Sequence, residues 1–501
     1  MKSLSIFHCV SLGLMGVLGL VKELRSATEN SASCCTAIEA EYPNQVIYQV
    51  DETYEEANAR WTQNAQLAPT CIFLPETAHD VSTAVKIFVA QACPFSIKSG
   101  GHTPWAGAND IDGGIAIDFS KMNDTAVSDD RSYVRLGPGG TWHNIYKQLN
   151  GTGLAFPGGR CPGTGVGGLT LGGGYSWFTG RVGFVADNII NYEIVLANGD
   201  IRNVNATDDA DLYLALKGGS NNFGVVTHFD LSVFEHRQRI YGGLAIVPIN
   251  VTDAVLERFS ELVSASKDFP ESDATLEFFL NGTNAAGQQI LLWLSDTDDT
   301  NLNGPHEALQ PLLDLEPKIL DRVGVTTLVD YPHDVPPVTR VLMTTATFVN
   351  APSVVQGVHQ LTLDHFEKSF SGIPNLVFDF QYTPIPRHVT EQSLVRGGNI
   401  MGLNDTTDDL IIVLLMPLWQ DAAYDDDIYA LSQDWLRSIH DYTNSVGAGS
   451  PFEFVNYAAP FQDPMASYGH SNLEFLRGVS EKYDPGRVFQ KLVPGGFKLG
   501  I

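Results

Sequence analysis

The segment Lys98-Ser99-Gly100-Gly101-His102 combines residue types that could grip and anchor a cofactor. It follows the apolar run 93–97, which predicts a short buried strand. Two consecutive glycines after a strand let the backbone approach a ligand closely and leave amide N–H groups free to face an anion such as a pyrophosphate. The imidazole one step beyond would then serve as a ligand, a base or an attachment point. The alternative is a histidine whose ring only makes hydrogen bonds within its own loop.

A second glycine-rich segment, 163–174, contains the pattern G-x-G-x-x-G, with Asp187 near the place of a ribose-binding acid. The nicotinamide dinucleotide fingerprint requires a strand before the glycines and a helix that begins at the last of them. Here Cys161-Pro162 precedes the pattern, and 169–174 is too rich in glycine for a helix. We therefore reject a nicotinamide site and expect extended backbone close to a flat or phosphorylated ligand.

Glycine clusters recur before residue 225. They lie at Gly100-Gly101, Gly137 to Gly140, Gly165 to Gly168, Gly172 to Gly174 and Gly218-Gly219. Backbone that is free of side chains at so many places can follow a long ligand, more than a single nucleotide requires. The pattern predicts a site that wraps an extended ligand with backbone.

The elements around the first motif alternate between strand and helix. Thr77 followed by Asp80 resembles a capping box, and the apolar spacing from Val81 to Val89 predicts a helix. This helix would connect a strand at 71–74 to the strand before the glycine turn. Asn198-Gly199 predicts a hairpin between two further strands.

Glycine becomes rarer beyond about residue 235, where strands and helices alternate without internal repeats. Helices are predicted near 255–263 and over 425–442. The predicted strands are 240–248, 289–294, 345–349, 376–382 and 410–415. This order favours an antiparallel sheet with helices on one face.

The composition excludes some partners. The chain has 501 residues, of which 44% are hydrophobic, enough for a large core and for two or three domains. Its 58 acidic and 30 basic side chains give a net charge of −28, so we expect no nucleic-acid partner. We also predict no metal site.

The N-terminus and the cysteines point to export. Lys2 precedes an almost uncharged run to Leu20, which predicts a cleaved signal peptide over 1–25 and no membrane attachment afterwards; an uncleaved anchor is the alternative. Glycosylation sequons occur at Asn123, Asn150, Asn205, Asn250, Asn281 and Asn404. Two disulfides could join Cys34 and Cys35 to Cys71 and Cys93, with the pairing left open and Cys161 as the odd thiol.

Eight ordered motifs together resemble those of a known family. They are Ser99-Gly100-Gly101-His102, Gly158-Gly159-Arg160-Cys161-Pro162, Gly165-Val166-Gly167-Gly168, Gly172-Gly173-Gly174-Tyr175, Asp187-Asn188, Ala215-Leu216-Lys217-Gly218-Gly219, Asn222-Phe223-Gly224 and Asn456-Tyr457. The set resembles the berberine bridge enzyme-like branch of the vanillyl-alcohol oxidase or PCMH-type FAD-linked oxidoreductases, especially its secreted fungal members. The resemblance covers nearly the whole mature chain.

The resemblance implies an α+β fold in which a PCMH-type FAD-binding domain of two α/β subdomains carries an inserted substrate domain of antiparallel sheet covered by helices. The expected boundaries are 35–235 and 446–501 for the FAD-binding domain and 236–445 for the substrate domain. The resemblance also implies that FAD is attached through His102 and through Cys161. Leu169 stands where many members with the cysteine have histidine, and Thr164 stands where an aliphatic residue is common near the oxygen path.

The resemblance places three residues in the catalytic site. Tyr175 and Tyr457 are the candidate bases, provided that a neighbouring cation or amide donors lower the phenol pKa from about 10. Asn456 would orient Tyr457 or the flavin. The cofactor-binding set adds Lys98 as a charge partner and, beside His102 and Cys161, the residues Ser99, Gly100, Gly101, Gly165, Val166, Gly167, Gly168, Gly172, Gly173, Gly174, Asn222 and Gly224.

The sequence thus predicts a secreted FAD-linked oxidoreductase that transfers hydride from a small alcohol, sugar or secondary metabolite to flavin N5, with O2 as acceptor. The alternatives are a flavin dehydrogenase or oxidative cyclase with little oxygen reactivity, and a non-catalytic secreted flavin- or ligand-binding glycoprotein. Candidate substrate-lining residues are Phe378, Phe380, Tyr382 and Trp419, for each of which core packing is the alternative. The substrate and the oligomeric state stay open.

Overall fold

The computed structural model of this chain describes residues 30–281, 288–331 and 339–501. The predicted signal peptide over 1–25 lies outside the described residues, and so does part of the sequon at Asn281. Helices, parallel strands and antiparallel strands all occur, which agrees with the predicted α+β class.

Residues 30–235 form a four-stranded sheet, a five-stranded sheet and a short two-stranded ladder. The strands are β1 (Val46–Tyr48), β2 (Cys71–Phe73), β3 (Phe95–Lys98), β4 (Ile115–Asp118), β5 (Thr125–Val127), β6 (Tyr133–Leu136), β7 (Leu154–Ala155), β8 (Ile189–Val195), β9 (Ile201–Asn205), β10 (Val225–Ser232) and β11 (Phe234–Glu235). The helices are α1 (30–41), α2 (Tyr54–Ala57), α3 (Ala78–Gln91), α4 (Trp142–Leu149), α5 (Val166–Leu171), α6 (Thr179–Val182) and α7 (Ala210–Leu216).

The four-stranded sheet positions the first motif. Its order is β1-β2-β4-β3, with β2 and β3 parallel to β4. Helix α3 connects β2 to β3 and begins at the predicted capping box of Thr77 and Asp80. Val81 and Phe88 on this helix are buried, whereas Val89, predicted on the same face, is 39% exposed. Because parallel strands end at one edge of a sheet, β3 delivers the glycine turn and His102 to its carboxyl edge.

The five-stranded sheet is antiparallel, in the order β5-β6-β10-β8-β9, and the predicted hairpin at Asn198-Gly199 joins β8 to β9. Two disulfides settle the pairing that the sequence left open: Cys34 bonds Cys93, and Cys35 bonds Cys71. They fasten α1 to the four-stranded sheet. Cys161 is a free thiol.

Residues 239–450 build one antiparallel sheet of nine strands. The strands are β12 (Arg239–Pro248), β13 (Ser272–Asn281), β14 (Gln289–Asp296), β15 (Leu320–Thr327), β16 (Arg340–Val341), β17 (Thr344–Val349), β18 (Val377–Ile385), β19 (Leu410–Trp419) and β20 (Gly449–Ser450). The order is β15-β12-β14-β13-β18-β19-β17-β20, and β16 also pairs with β19. The sequence analysis did not predict β13 or β15.

Helices cover one face of this sheet, as predicted. They are α8 (Thr252–Ala265), α9 (Gln310–Leu313), α10 (Pro352–His365) and α12 (Asp425–Ser445). Helix α11 (Arg387–Val395) packs against α6 instead. Apolar side chains of α8, α10 and α12 share a core with alternate residues of β13, β18 and β19. Because side chains alternate along a strand, the remaining residues of these three strands lie on the other face, toward the site.

The last segment returns to the first part of the chain. It contains α13 (Pro464–Ser467), α14 (His470–Tyr483) and α15 (Val488–Lys491). The rings of Phe489 and Phe95 lie 6.4 Å apart, and the side chain of Gln490 donates to Asn222 Oδ1 over 2.9 Å. This packing agrees with the expectation that both ends of the chain serve one domain, while the domain boundaries stay a prediction.

The prediction of extended backbone after the G-x-G-x-x-G pattern was wrong. Val166–Leu171 forms a short helix, α5, which ends where Gly172 N contacts the carbonyls of Gly168 and Leu169. Val166 and Thr170 are fully buried, so packing holds six residues in a helix that their propensity alone disfavours. The helix gives way to chain reversal at Gly173 and Gly174, both of which have positive φ.

Candidate active site

A cavity of about 290 Å³ lies between the glycine turn after β3, the loop and helix at 160–172, and the inner face of the nine-stranded sheet. Residues 454–457 close one side of it, and Gly496 and Phe497 line another part. The cavity is therefore built from distant parts of the chain, several of which carry predicted motifs.

His102 and Cys161 meet in the wall of this cavity. His102 Nε2 lies 3.5 Å from Cys161 Sγ, although 59 residues separate them in sequence. Burial lowers the pKa of His102 to about 4, so its imidazole is neutral at physiological pH. Burial also raises the pKa of the Cys161 thiol. The indole of Trp61 stacks on the imidazole, with ring centroids 4.0 Å apart and planes inclined by 13°.

The two glycine segments contact each other directly. A Cβ added at Gly100 would lie 2.4 Å from Gly165 N, and one at Gly165 would lie 2.2 Å from Gly100 N. Ser99 Oγ links the same segments, because it accepts from Gly167 N over 3.0 Å and donates to Pro138 O. Close packing of loop on loop thus explains these glycines in addition to any approach of a ligand.

Asn456 fastens the end of α5 to the opposite wall. Its Oδ1 accepts from Gly174 N over 3.0 Å, and its Nδ2 donates to Gly168 O over 3.2 Å. A Cβ at Gly172 would lie 2.3 Å from Asn456 Nδ2, so this glycine makes room for the amide. Asn456, the neighbour of Tyr457 in the chain, therefore holds the backbone at Gly168 and Gly174.

Arg160 lies at the centre of the polar part of the cavity. Its Nη2 donates to Tyr457 Oη over 3.0 Å and weakly to Thr383 Oγ1, and its Nη1 donates to Thr275 Oγ1. The guanidinium also lies over the ring of Tyr175, 4.5 Å from the centroid. A cationic donor stabilises negative charge on the oxygen that it reaches, so Tyr457 has the neighbouring cation that the sequence analysis required of a base.

The other tyrosine is in the opposite environment. Tyr175 Oη donates to Asp273 Oδ1 over 3.1 Å. Burial and then the Asp273 carboxylate raise the pKa of Tyr175 well above its ordinary value. Burial likewise raises the pKa of Asp273. Tyr175 therefore keeps its proton, and Tyr457 is the better placed of the two candidate bases.

Two carboxyl groups lie behind the cavity wall. Glu277 Oε2 accepts from Trp293 Nε1, and Glu277 Oε1 accepts from Gln381 Nε2 over 2.9 Å. Burial raises the pKa of Glu277, and burial together with Glu277 raises the pKa of Asp379 well above its ordinary range. Only Gln381 of this group lines the cavity, so the two acids support the wall from behind.

The structure brings most of the predicted site residues together. Those that line the cavity are Ser99, Gly100, Gly101, His102, Cys161, Gly165, Gly167, Gly168, Gly172, Tyr175, Gly224, Asn456 and Tyr457. Five predicted residues are not among the described residues that line the cavity: Lys98, Val166, Gly173, Gly174 and Asn222.

Two of these departures have clear causes. Lys98 Nζ pairs with Asp118 Oδ2 over 2.9 Å and donates to Ala57 O, so it does not face the cavity as a charge partner. Asn222 is fully buried and donates to the carbonyls of Gly219 and Phe497. Its neighbour Asn221 lines the cavity instead.

The suggested substrate-lining role of four aromatic residues was wrong, and their alternative role in the core is the observed one. Phe378, Phe380, Tyr382 and Trp419 are buried in the cluster between the nine-stranded sheet and its helices. Gln381 on β18 and the pair Leu414 and Met416 on β19 line the cavity. Side chains alternate along a strand, so the opposite set of positions faces the site.

The sequence analysis assigned no role to Arg160, Asp273 or Gln381. Arg160 stands in a quoted motif, but nothing in its neighbourhood along the chain indicates its partners. Residues 273–278 alternate between polar and apolar types, with Asp273, Thr275 and Glu277 on one face. That period of two was a usable signal for a strand with a polar face.

Comparison with known proteins agrees with this description. Residues 69–205 match the sequence model of an FAD binding domain. The chain is 32% identical over 477 residues to the FAD-dependent monooxygenase sdcF of Emericella nidulans, covering 94% of this chain and 98% of that protein. The FAD-dependent monooxygenase drtC of Aspergillus calidoustus is 32% identical over 481 residues, covering 94% and 91%.

Two solved structures share the fold. Glucooligosaccharide oxidase from Acremonium strictum superimposes with a TM-score of 0.73 at 20% identity, covering 92% of this chain and 98% of that one. The berberine bridge enzyme-like protein 1 of Physcomitrella patens gives a TM-score of 0.74 at 18% identity, covering 91% and 97%.

Fold and sequence matches together define an FAD-dependent oxidoreductase with a PCMH-type fold. The chain belongs to the PCMH-type FAD-linked oxidoreductase family that the motifs implied, and it shares its fold with a berberine bridge enzyme-like protein.

The cavity residues fit FAD. A Cβ built at Gly168 meets no atom of the described chain within 4 Å, so this wall position opens on space for a ligand. Trp105 Nε1 and Asn109 Oδ1 belong to wall residues and are buried without a hydrogen-bond partner among the described residues. A long polar ligand would give them partners. His102 and Cys161 add two nucleophiles in the same wall.

Proposed function

We propose that this chain carries FAD bound covalently through both His102 and Cys161, and that it oxidises a small organic substrate. The observation that carries the proposal is the distance of 3.5 Å between His102 Nε2 and Cys161 Sγ in the cavity wall. The neutral imidazole keeps its lone pair for bond formation. The structure of glucooligosaccharide oxidase is described as carrying 6-S-cysteinyl, 8α-N1-histidyl FAD, which supports two attachments.

Acid precipitation tests the covalent bonds. We expect the purified protein to be yellow and the flavin to stay in the acid pellet. His102→Ala and Cys161→Ser should each leave one bond, and the double variant should release all of its flavin to the supernatant. His79→Ala changes an exposed histidine and serves as the matched control. Colourless protein, or wild-type flavin that is released entirely by acid, would contradict the proposal.

Bound FAD supplies a hydride acceptor for a C–H bond next to oxygen or nitrogen. The chain then has to remove a proton from the substrate, and we assign this task to Tyr457 Oη. Arg160 Nη2 donates to that oxygen and stabilises the charged form of the base. Tyr175 holds its own proton toward Asp273 and serves to position Arg160 through their stacked contact.

We further propose that O2 accepts the electrons. Relatives are named FAD-dependent monooxygenases and structural neighbours are named oligosaccharide oxidases, and both names denote reactions that consume O2. Anaerobic mixing with a substrate panel, followed by oxygen, separates the alternatives. An oxidase is reoxidised at once by air, whereas a dehydrogenase or a cyclase of low oxygen reactivity stays reduced until an artificial acceptor is added.

Export and glycosylation complete the proposal. The two disulfides agree with an oxidising compartment. Asn123, Asn150 and Asn250 are exposed, and Asn205 and Asn404 are half-buried, so these sequons lie at the surface. Among the described residues, no helix is both long and apolar enough to cross a membrane. Recovery of the protein from culture medium, with a mass that falls on glycosidase treatment, is the expected result.

A further inference from the structure

Arg160 brings a positive charge to the cavity wall. Among the described residues that line the wall, it is the only Lys, Arg, Asp or Glu side chain. The chain as a whole has a net charge of −28, so the sign of the one charged side chain in this cavity wall is opposite to that of the whole protein. A charge placed in this way selects for a ligand group of opposite sign.

The neighbours of Arg160 do not neutralise it by direct bonding. Asp273 Oδ2 lies 4.0 Å from Nη1, too far for a hydrogen bond, and this oxygen has no hydrogen-bond partner among the described residues. The other oxygen of Asp273 is engaged by Tyr175. Thr275, Thr383 and Tyr457 supply three hydroxyl acceptors, whereas a guanidinium has five N–H donors. Arg160 therefore keeps donor capacity.

Two further acidic groups lie outside the cavity wall. Glu277 and Asp379 lie behind Gln381, and burial raises the pKa of each. Burial therefore disfavours the negative charge on these groups that would oppose an anion in the cavity. The guanidinium plane is fixed by the rings of Tyr175 and Trp177, whose centroids lie 4.5 and 5.2 Å from its central carbon. A fixed planar donor group suits a flat anionic partner.

The wall next to Tyr457 is apolar. Leu414 and Met416 form a cluster against which Trp61, Met343 and Tyr457 pack. Gln381 adds one amide on this side of the cavity. An oligosaccharide carries many hydroxyl groups, and a wall of this composition would leave most of them without partners. An apolar ring system has no hydroxyl groups that would lose hydrogen bonds on the same surface, and the burial of its apolar area favours binding.

We propose that the substrate is a flat, largely apolar organic compound with an ionisable oxygen, a phenol, an enol or a carboxylic acid, which binds to Arg160 as its anion. The apolar body of the compound lies against Trp61, Leu414 and Met416. The inference rests on the proposed function, since it names the substrate class of the same site. It excludes neutral oligosaccharides as the preferred substrates.

Binding of 2-naphthoate tests the proposal without turnover. The probe is titrated into the purified flavoprotein under anaerobic conditions, and the change in the flavin absorbance spectrum is followed. The neutral 2-naphthamide has the same shape, and cellobiose represents the sugars. We expect 2-naphthoate to bind about tenfold or more tightly than the amide, the difference expected for a charge-assisted hydrogen bond. Cellobiose should not bind measurably.

Variants locate the effect. Arg160→Met should weaken 2-naphthoate about ten- to hundredfold and leave 2-naphthamide nearly unchanged. Arg160→Lys keeps the charge but not the planar group, so it should show an intermediate loss and covers the case in which the methionine variant does not fold. Arg181→Met is the matched control, because Arg181 stacks on Phe178 outside the cavity wall.

The outcomes separate the two proposals. Protein without flavin would contradict the proposed function. Yellow protein that binds the amide or cellobiose as tightly as 2-naphthoate would overturn only the substrate class. Equal weakening of the acid and the amide in Arg160→Met, or the same loss of 2-naphthoate in Arg181→Met, would also overturn it, because the effect would then not depend on charge at this site.

Discussion

Replacing Trp61 is expected to slow the attachment of flavin to His102. The indole lies parallel to the imidazole at 4.0 Å, and the backbone N–H of Trp61 donates to Gly101 O over 3.2 Å. The stack therefore holds the imidazole from a fixed point on the glycine turn. Without it, the imidazole can rotate away from the position in which Nε2 meets Cys161 Sγ.

The size of the effect follows from the stacking energy. Aromatic pairs of this kind contribute about 0.5–1.5 kcal/mol beyond the burial of their area. If that energy orients the reacting ring, its loss slows bond formation about two- to tenfold, since 1.4 kcal/mol corresponds to a factor of ten. Trp61→Leu should show the full effect, and Trp61→Phe, which keeps a ring, a smaller one.

The assay uses a background in which His102 is the only attachment site. In Cys161→Ser protein, all acid-stable flavin is bound to histidine, so the fraction of flavin in the acid pellet measures that bond alone. Samples taken at intervals during expression give the rate. Equal rates in Trp61→Leu and the parent, at equal total flavin content, would refute the idea that stacking orients His102.

Three further predictions concern packing, pH and the base. Gly100→Ala should lower the melting temperature, because its Cβ would lie 2.4 Å from Gly165 N, whereas Gly168→Ala should affect flavin content more than folding. Burial lowers the pKa of His359 from 6.5 to about 4. Between these two pH values the unfolded chain binds a proton at this residue and the folded chain does not, so the free energy of unfolding falls as the pH drops from 6.5 to about 4. The loss of stability is about 1.4 kcal/mol per pH unit. Unfolding midpoints measured at several pH values should show it in the wild-type protein and not in His359→Leu. Tyr457→Phe should slow anaerobic flavin reduction about 10²- to 10⁴-fold, and Tyr175→Phe much less.

Local signals predicted the local structure well. The capping box at Thr77 and Asp80 and the hairpin at Asn198-Gly199 occur as predicted, because each depends on hydrogen bonds within a few residues. The helix at 166–171 was not predicted, because it depends on contacts that are distant in sequence. Its glycine content disfavours a helix locally, and the burial that stabilises it involves other parts of the chain.

The face of a strand was harder to predict than its existence. A strand at 376–382 is present in the structure, yet the predicted lining residues Phe378, Phe380 and Tyr382 face the helices. Large aromatic rings are typical both of substrate walls and of cores, so residue type could not choose between the faces. The acids and amides at the alternate positions were the better indicator, because a polar residue in a buried strand needs a partner on its own side.

The role of Arg160 shows where prediction from the sequence ends. Its hydrogen-bond partners Thr275, Thr383 and Tyr457 lie 115, 223 and 297 residues further along the chain, on two strands and a short turn that meet only in the folded protein. The arginine is part of a motif in the sequence, but its charge matters because the folded cavity holds no second charged side chain among its described wall residues. Family motifs therefore indicate the cofactor, while the substrate class that we propose rests on a charge balance that only the assembled cavity defines.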